Sequence, residues 1–506
     1  MEAISLSLFY PIIAVVTAAL YFIKRNLNYW KDQGIPTEKP HFLWGNIKGL
    51  RTHYHIGDIA ANYYKKFKGS GPFAGLLFIQ RPAVVLLDKN LIKNVLIKDF
   101  NNFIDRGLYY NEKTDPLSGH LFLIDSQKWK ILRNKLSPTF TSGKMKLMYP
   151  TLLKVTDQFI SVMKDKVKED PIVDIHDMLN RFTIDIISSC AFGIECNSLG
   201  NSNSEFPRVG KIAIMEQRHN TVIMALIDSF PHVARKLGMR IFPEEVHQFF
   251  MTTVRDTITY REKHNIQRND FLNILLEMKK NENDKTGLEG LSIEEICAQV
   301  FVFFLGGFET SSSTMTYALY ELAQHQHLQE RLRQEINEVF ENSPDGQITY
   351  ENLKNMNYLH QVVSETQRKH PVIAQLHRQA LKDYVVPGFP QYVIKKDTPI
   401  LISVLGLHHD PELYPQPEEF DPERFTPEMV KQRDPVEYLP FGDGPRNCIG
   451  KRFGQMQTRL GLAYLIRNFQ FSICSQTEMP IIIDPKAMAY VPKNVIYLKL
   501  EEISSL

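Results

Sequence analysis

A ten-residue stretch near the C-terminus, FGDGPRNCIG at 441–450, constrains the fold of this 506-residue chain more than any other segment. Gly442 and Gly444 allow backbone conformations that other residues rarely adopt, so the chain can wrap closely around the Cys448 side chain. A thiolate held by backbone N–H groups and shielded from water is a strong electron donor to iron. Free cysteine is also often simply buried, so an ordinary core cysteine in a glycine-rich turn is the alternative.

The overall composition excludes two classes of protein. A net charge of +2 argues against a nucleic-acid binder, because contact with many phosphates requires a pronounced basic excess. The cysteines are odd in number and scattered, which is not a disulfide framework and favours a reducing compartment. They are Cys190, Cys196, Cys297, Cys448 and Cys474.

The N-terminus carries a long apolar run. No charged residue occurs from Ala3 to Ile23, and roughly 20 helical residues are enough to cross a bilayer core. Lys24 and Arg25 follow at once, and positive charge on the C-terminal flank keeps that side in the cytosol. A cleaved signal peptide would carry its positive charge before the apolar run. Residues 1–25 are therefore predicted to form a retained signal-anchor helix, with a buried core helix as the alternative.

The rest of the chain indicates a mainly α fold with minor β structure. Residues 26–40 are polar and contain Gly34 and Pro36, which predicts a stiff hinge. Turn residues between short apolar runs predict a hairpin within Pro72–Asp88. No repeat or low-complexity linker divides residues 41–506, which are predicted to form one large catalytic domain. Helical periodicity marks Thr151–Lys168, Pro243–Lys263, Asp270–Lys280 and a long helix from about Ser292.

The long helix contains the unusual sequence FVFFLGGFETSSST, Phe301 to Thr314. Gly306 and Gly307 each cost a helix about 1 kcal/mol relative to alanine. A groove required beside this turn of the helix would explain that cost. Packing glycines followed by a serine and threonine face are the alternative.

Three further motifs carry charged or aromatic side chains. Glu365 and Arg368 form a Glu-x-x-Arg pair, and Arg424 lies in the sequence PERF. Trp129 and Arg133 are four residues apart, which places them on one face of a helix. Each of these motifs is weak by itself, because exposed helical pairs and packing pairs share the same spacing.

Taken together and in this order, the motifs resemble those of the cytochrome P450 superfamily over essentially the whole chain. NYWKDQGIP, LSPTFTSGKMK and FGDGPRNCIG are similar to sequences of insect family-six microsomal enzymes. The resemblance implies the cytochrome P450 fold, a single large helical domain with small β-sheets. It also implies haem b with Cys448 as axial iron ligand. The expected activity is an NADPH- and O2-dependent monooxygenase reaction on small lipophilic molecules.

The resemblance also implies roles for individual residues. Thr310 would hydrogen-bond oxygen at the iron, and Glu309 would relay protons. Glu365, Arg368 and Arg424 would form a buried structural ion-pair cluster. Further haem contacts are implied for Trp129, Arg133, Arg378, Phe441 and Arg446. The substrate pocket is expected to include Phe122, Phe301, Phe304, Phe308, Val372 and Met488, the three helical phenylalanines forming one stripe.

The source of electrons is expected to be a separate protein. Gly442-x-Gly444 begins like a dinucleotide fingerprint, but Asn447 occupies the third glycine position and no βαβ unit surrounds it. The resemblance implies NADPH-cytochrome P450 reductase, with cytochrome b5 as a second donor, at the cytosolic face of the endoplasmic reticulum membrane. Cations suited to an acidic partner are Lys130, Lys135, Lys451, Arg452 and Arg459.

Two other functions fit the same fold. A haem-thiolate isomerase or dehydratase would rearrange peroxides without electrons, but it has no use for the oxygen-handling residues Glu309 and Thr310. A haem or lipid carrier would leave the same residues idle. Among monooxygenase substrates, the subfamily resemblance implies plant toxins, insecticides, hormones or fatty acids.

Overall fold

Helices make up most of the computed structural model, which describes residues 2–201, 204–268, 270–280, 290–343 and 346–503. In chain order the helices of the first half are α1 (Glu2–Leu27), α2 (Tyr29–Asp32), α3 (Ile56–Phe67), α4 (Lys89–Lys93), α5 (Ser126–Leu136), α6 (Ser142–Glu169), α7 (Ile175–Ile187), α8 (Glu205–Met215), α9 (Thr221–Ser229) and α10 (Pro231–Lys236). Those of the second half are α11 (Glu244–His264), α12 (Phe271–Lys280), α13 (Ile293–Gln324), α14 (Gln326–Glu341), α15 (Tyr350–Asn355), α16 (Asn357–Lys369), α17 (Val404–His408), α18 (Pro427–Gln432) and α19 (Lys451–Asn468).

Short strands form three small sheets. They are β1 (Phe73–Phe78), β2 (Arg81–Leu86), β3 (Ile172–Asp174), β4 (Gln375–Gln379), β5 (Tyr384–Val386), β6 (Phe389–Ile394), β7 (Pro399–Ser403), β8 (Phe469–Ser472) and β9 (Tyr497–Glu502). The largest sheet has the order β1-β2-β7-β4, in which β2 and β7 run parallel and the other pairs antiparallel. The second has the order β3-β9-β8, and the third pairs β5 with β6. The predicted class, mainly α with minor β, is confirmed.

The long helix α13 runs through the main hydrophobic core. Its N-terminus is fixed by a capping box, in which Ser292 Oγ accepts from Glu295 N and the Glu295 carboxylate accepts from Ser292 N. Nearly every side chain from Ser311 to Ala323 is buried. Helices α7 and α19 pack along it, and α8 and α11 cover another part of its surface. This helix therefore positions whatever chemistry its middle turns carry.

The predicted elements agree with the structure in most places. The hairpin within Pro72–Asp88 is confirmed as β1 and β2, with Phe73 opposite Leu86. The helix predicted from Thr151 begins earlier, at Ser142, and continues through Pro150. The predicted helices over 243–263, 270–280 and from Ser292 are confirmed as α11, α12 and α13.

The N-terminal segment is helical in backbone over α1. The predicted anchor includes Met1, which lies outside the described residues, and many side chains of α1 lie outside them as well. Among the residues that the structure describes, no helix meets the length and hydropathy needed for a membrane span. The predicted hinge contains the short helix α2 and packs on the body of the protein. Trp30 is buried there, and its Nε1 donates to Leu76 O at 2.9 Å.

Candidate active site

The loop around Cys448 is tightly turned, and its shape depends on two glycines. Gly442 and Gly444 have φ values of 65° and 72°, in the left-handed region that favours glycine. A Cβ at Gly444 would lie 1.9 Å from Leu96 O, so no other residue fits there. The backbone N–H of Cys448 donates to Phe441 O at 2.9 Å. The loop leads into α19, which begins at Lys451, shortly after Cys448.

The Cys448 thiol has accessible surface although it lies deep in the protein. Burial raises the pKa of this thiol above its ordinary value, while a hydrogen bond from the backbone of Gly450 and the nearby cations Arg133, Arg106 and Lys451 act in the opposite direction. Accessibility together with deep placement means that the thiol faces a space inside the fold. The surrounding donors and cations favour its anionic form.

Four guanidinium groups gather near Cys448. Arg106 and Arg133 both act electrostatically on Cys448, and burial and mutual repulsion lower the pKa of Arg106 well below its ordinary value. Burial lowers the pKa of Arg378 to about 9 and that of Arg446 to about 10. Like charges so close together in a buried region are unfavourable unless an anion lies among them.

Protein contacts hold these guanidiniums but do not use all their donors. Arg446 donates to Ile124 O and lies 4.6 Å from the centre of the Trp129 ring, while Arg133 donates to Asn447 O and Oδ1 at 3.0 and 2.8 Å. Within the described part of the chain, four of their buried N–H positions have no acceptor. These are Arg106 Nη1, Arg378 Nε, Arg446 Nε and Arg446 Nη1. The cluster therefore has the donors to bind an anionic group.

One face of α13 is open in the middle of the helix. Gly306 is exposed, and a Cβ built on it would meet nothing within 4 Å. Thr310, one turn later, is half-buried, and its Oγ1 donates to Gly306 O at 2.8 Å. Val302, one turn before Gly306, is also half-buried. Gly307 is needed for close packing instead, because a Cβ at this position would lie 2.6 Å from Ile187 Cδ1 on α7.

Glu309 is directed away from this open face. Its carboxylate is buried against α7, where its Oε1 accepts from Ser313 Oγ at 3.0 Å and lies 3.4 Å from His176 Nε2. Successive helical residues differ by about 100° in direction, so Glu309 and Thr310 face different neighbours. The structure therefore brings Thr310 to the open face and gives Glu309 a partner on α7.

The phenylalanine stripe of α13 lies opposite the open face. Phe301, Phe304 and Phe308 have at most 1% of their surface exposed. They pack into an aromatic cluster with Phe206 of α8 and Phe242 and Phe250 around the start of α11. Helices α8 and α11 cover this face. The residue one turn before Gly306 on the open face is Val302.

The other expected pocket residues have three different surroundings. Phe122 is exposed, and the Arg106 guanidinium lies 4.1 Å from the centre of its ring. Val372 is buried in a small apolar cluster with Tyr317, and Val372 O accepts from Tyr490 N. Met488 is exposed. Only Phe122 is thus tied directly to the arginine cluster near Cys448.

The ion-pair cluster predicted from Glu-x-x-Arg is assembled in the structure. Arg368 donates from Nε and Nη2 to the Glu365 carboxylate at 2.7 and 2.8 Å, and neither side chain is exposed. Arg424 Nε lies 3.5 Å from Glu365 Oε1. The carboxylate also accepts from Asp421 N at 3.0 Å. These contacts join α16 to the segment that leads to the Cys448 loop.

The charged surface near the loop is smaller than the sequence indicated. Lys130, Lys451 and Arg452 are exposed, and Lys135 is half-buried. Arg459 is only 9% exposed and donates to His360 Nδ1, so it cannot contribute to a docking surface. It lies eight residues after Lys451 on α19, on the side of that helix that packs inward.

Comparison with known proteins places the chain in a family. A family model described as Cytochrome P450 matches residues 35–500. The chain belongs to the cytochrome P450 family. Cytochrome P450 6A1 of Musca domestica is 57% identical over 498 residues, which cover 98% of each chain. Cytochrome P450 6a9 of Drosophila melanogaster is 51% identical over 495 residues, covering 97% of this chain and 98% of the relative.

Membership of the family confirms the predicted enzyme class and cofactor. The protein is a cytochrome P450 monooxygenase with haem b. Members of the family generally receive electrons from NADPH through a reductase. Sequence reasoning did not identify Arg106, Val302 or His176. Val302 lies four residues before Gly306, on the same side of the helix, and this spacing could have shown it. Arg106 and His176 carried no comparable signal.

Proposed function

We propose that this cytochrome P450 inserts one oxygen atom of O2 into small lipophilic substrates at the space between Cys448 and the open face of α13. The observation that carries the proposal is the unsatisfied cluster of guanidinium N–H groups beside an accessible cysteine. Foreign compounds such as insecticides and plant toxins are the main substrate class proposed. Endogenous hormones or fatty acids form the second class.

The residues present fit a haem. Its two propionate carboxylates require cationic donors, which Arg106, Arg133, Arg378 and Arg446 supply, and their unpartnered N–H groups support this assignment. Cys448 would supply a thiolate ligand to the iron, and Trp129 and Phe441 would complete the surroundings. When bound, the haem supplies the iron at which O2 is activated, and a thiolate ligand favours O–O cleavage.

Thr310 and Glu309 are proposed to handle protons. The Thr310 hydroxyl lies on the open face and can exchange its bond to Gly306 O for one to an oxygen species or a water. Glu309 lies one residue earlier and is the nearest carboxylate along α13. Thr310→Ala should therefore raise the fraction of NADPH consumed that yields hydrogen peroxide, while the conservative Thr310→Ser should retain coupling. Unchanged coupling in Thr310→Ala would exclude this role.

A lipophilic substrate is supported by the residues that border the space. Val302, Leu376 and Phe122 are all partly accessible and apolar. Burial of a ligand's apolar surface against such side chains is favourable, and few polar groups are needed to orient the ligand. Binding of a lipophilic ligand is expected to shift the haem absorption spectrum.

A reductase is proposed to dock on the surface formed by Lys130, Lys451 and Arg452. All three are exposed, and an acidic partner would meet complementary charge there. Cytochrome b5 is proposed as a second electron donor to the same surface. Increasing salt should lower the reductase-supported rate, because exposed charges are screened over about 10 Å at 0.1 M.

Anchoring to the endoplasmic reticulum membrane is proposed through residues 1–25, with residues 26–40 as the connection and 41–506 as the catalytic domain. Lys24 and Arg25 would hold this side in the cytosol. Asn26 donates to Gln80 O, and neighbouring Arg81 donates to Asp228 O at the end of α9. The end of α1 thus lies near a group of exposed apolar side chains, which supports a shared membrane-facing side. These are Val222, Leu226, Phe230, Val233 and Leu237.

A carbon monoxide difference spectrum tests the iron ligand. Reduced wild-type enzyme should show the band characteristic of a thiolate-bound iron, and Cys448→Ala should lose both the band and turnover. Cys474→Ala, at a half-buried cysteine elsewhere, is the matched control and should keep both. Turnover that requires no NADPH would favour the isomerase or dehydratase alternative.

A further inference from the structure

The Glu309 carboxylate has a partner whose position suggests a second role. In the described part of the chain, the groups in polar contact with this carboxylate are Ser313 Oγ and His176 Nε2. The distance of 3.4 Å to His176 is short enough for an ion pair, but the atoms are not aligned for a hydrogen bond, and Nε2 has no other acceptor. The two side chains are therefore adjacent without being locked together.

The His176 side chain is more accessible than the Glu309 carboxylate that it faces. It is the second residue of α7, directly after the capping region of Asp174, and its side chain is 13% exposed, against 5% for Glu309. The next residue, Asp177, is well exposed and accepts from Arg181 Nε at 2.7 Å. The imidazole at the start of α7 thus has some access to solvent, and its Nε2 faces Glu309.

The charges around His176 favour its protonated form. Burial by itself lowers the pKa of the imidazole, but the carboxylates of Glu309, Asp174 and Asp177 outweigh it and leave the pKa above its ordinary value. Arg181 offsets part of the effect of Asp177 through their ion pair. With a protonated His176, the Glu309 carboxylate has a cation on α7 and is drawn away from the Thr310 side of α13.

We propose that His176 is a positioning residue that holds Glu309 against α7 and transfers protons from solvent to its carboxylate. The imidazolium transfers a proton from Nε2 to the Glu309 carboxylate, which leaves a neutral imidazole and a neutral carboxylic acid. The ion pair is then lost, and the acid can turn toward Thr310 and deliver its proton there. That imidazole keeps its proton on Nδ1, and its Nε2, which the acid has left, takes up a proton from a water molecule. This inference rests on the proposed proton relay through Glu309.

The test compares His176→Phe, His176→Gln and Glu309→Gln with the double variant His176→Phe/Glu309→Gln. The full-length enzyme with its haem and a P450 reductase is supplied with NADPH and 7-ethoxycoumarin, a small lipophilic aryl ether. Product, hydrogen peroxide and NADPH consumption are measured in H2O and D2O between pH 6 and 8.5. The exposed His327→Phe is the matched control.

His176→Phe should lower product per NADPH at least threefold and increase the solvent isotope effect, with the carbon monoxide spectrum and the ligand-binding constant unchanged. His176→Gln, which can donate but cannot titrate, should flatten the pH dependence of coupling. The double variant should be no worse than Glu309→Gln alone. The inference is overturned if Glu309→Gln uncouples the enzyme but both His176 variants behave like wild type. If Glu309→Gln itself leaves coupling unchanged, the proposed relay fails.

Discussion

The guanidinium of Arg368 donates two hydrogen bonds to the carboxylate of Glu365, and both side chains are completely buried. Further donors of Arg368 bind the backbone oxygens of His408, Pro417 and Glu419. One arginine therefore ties α16 to α17 and to the chain that precedes the Cys448 loop. The arrangement supplies the buried Glu365 carboxylate with hydrogen bonds and a positive charge in a place that water does not reach.

Replacing Arg368 with methionine should destabilise the enzyme strongly. The Glu365 carboxylate would remain buried with only the more distant Arg424 as a cation, and stranding a buried charge costs about 3–5 kcal/mol. The free energy of unfolding in urea measures the loss. Lys146→Met breaks an ion pair of similar length with Glu351, but both of those side chains are more than half exposed, so its unfolding midpoint should stay at the wild-type value. Equal shifts in the two variants would contradict the role given to burial.

Alanine at the two adjacent glycines of α13 should have opposite effects. The Cβ added by Gly306→Ala would have no atom within 4 Å, so this variant should stabilise the helix by about 1 kcal/mol. Gly307→Ala meets Ile187 Cδ1 at 2.6 Å and should cost about 1–3 kcal/mol from overpacking, partly offset by the same helical gain. Urea unfolding of both variants checks the order. Adding Ile187→Val, which removes Cδ1, should relieve part of the cost in Gly307→Ala and none in Gly306→Ala.

Removing Arg106 should affect the haem-bound and haem-free forms in opposite directions. Arg106→Leu takes one charge from a crowded cluster, so the haem-free protein should gain on the order of 1 kcal/mol of unfolding free energy. The same variant loses a donor proposed for a propionate, so the ratio of haem to protein after purification should fall severalfold. Arg51→Leu, which breaks a pair with Asp228 outside the cluster, should change neither quantity in this way. Full haem retention in Arg106→Leu would argue against a propionate contact.

His408 should make the enzyme less stable as the pH falls. Burial, with the nearby charge of Arg368, keeps the pKa of His408 well below its ordinary value, and its Nε2 accepts from Leu439 N at 2.9 Å. Below about pH 6.5 this histidine therefore binds a proton in the unfolded chain but stays neutral in the folded chain. This contribution to stability is present above about pH 6.5 and is lost below it, by up to about 1.4 kcal/mol per pH unit.

His408→Gln keeps an acceptor for Leu439 N but cannot titrate. Its unfolding free energy should fall less steeply than that of the wild type between pH 7.5 and 5.5, as measured in urea. The exposed His53→Gln serves as control and should follow the wild-type slope. A slope for His408→Gln as steep as that of the wild type would contradict a neutral, buried imidazole.

The sequence by itself determined the features that depend on local backbone chemistry. Gly442 and Gly444 specify the turn before Cys448, because both have the positive φ that favours glycine and a Cβ at Gly444 would collide with Leu96 O. The Ser292 capping box sets the start of α13 within a residue of its predicted position. The ordered motifs also predicted the family, the haem and the enzyme class, which the comparisons confirm.

Only the tertiary structure decided which faces and which distant side chains meet. The phenylalanine stripe and the Gly306 face have equally regular helical spacing, and the choice between them depends on where α7, α8 and α11 pack. Arg106 comes from a loop, Arg133 from α5 and Arg378 from β4, so no local pattern could group them. His176 meets Glu309 for the same reason: the two are far apart in sequence, and a packed helix pair fixes both their distance and their direction.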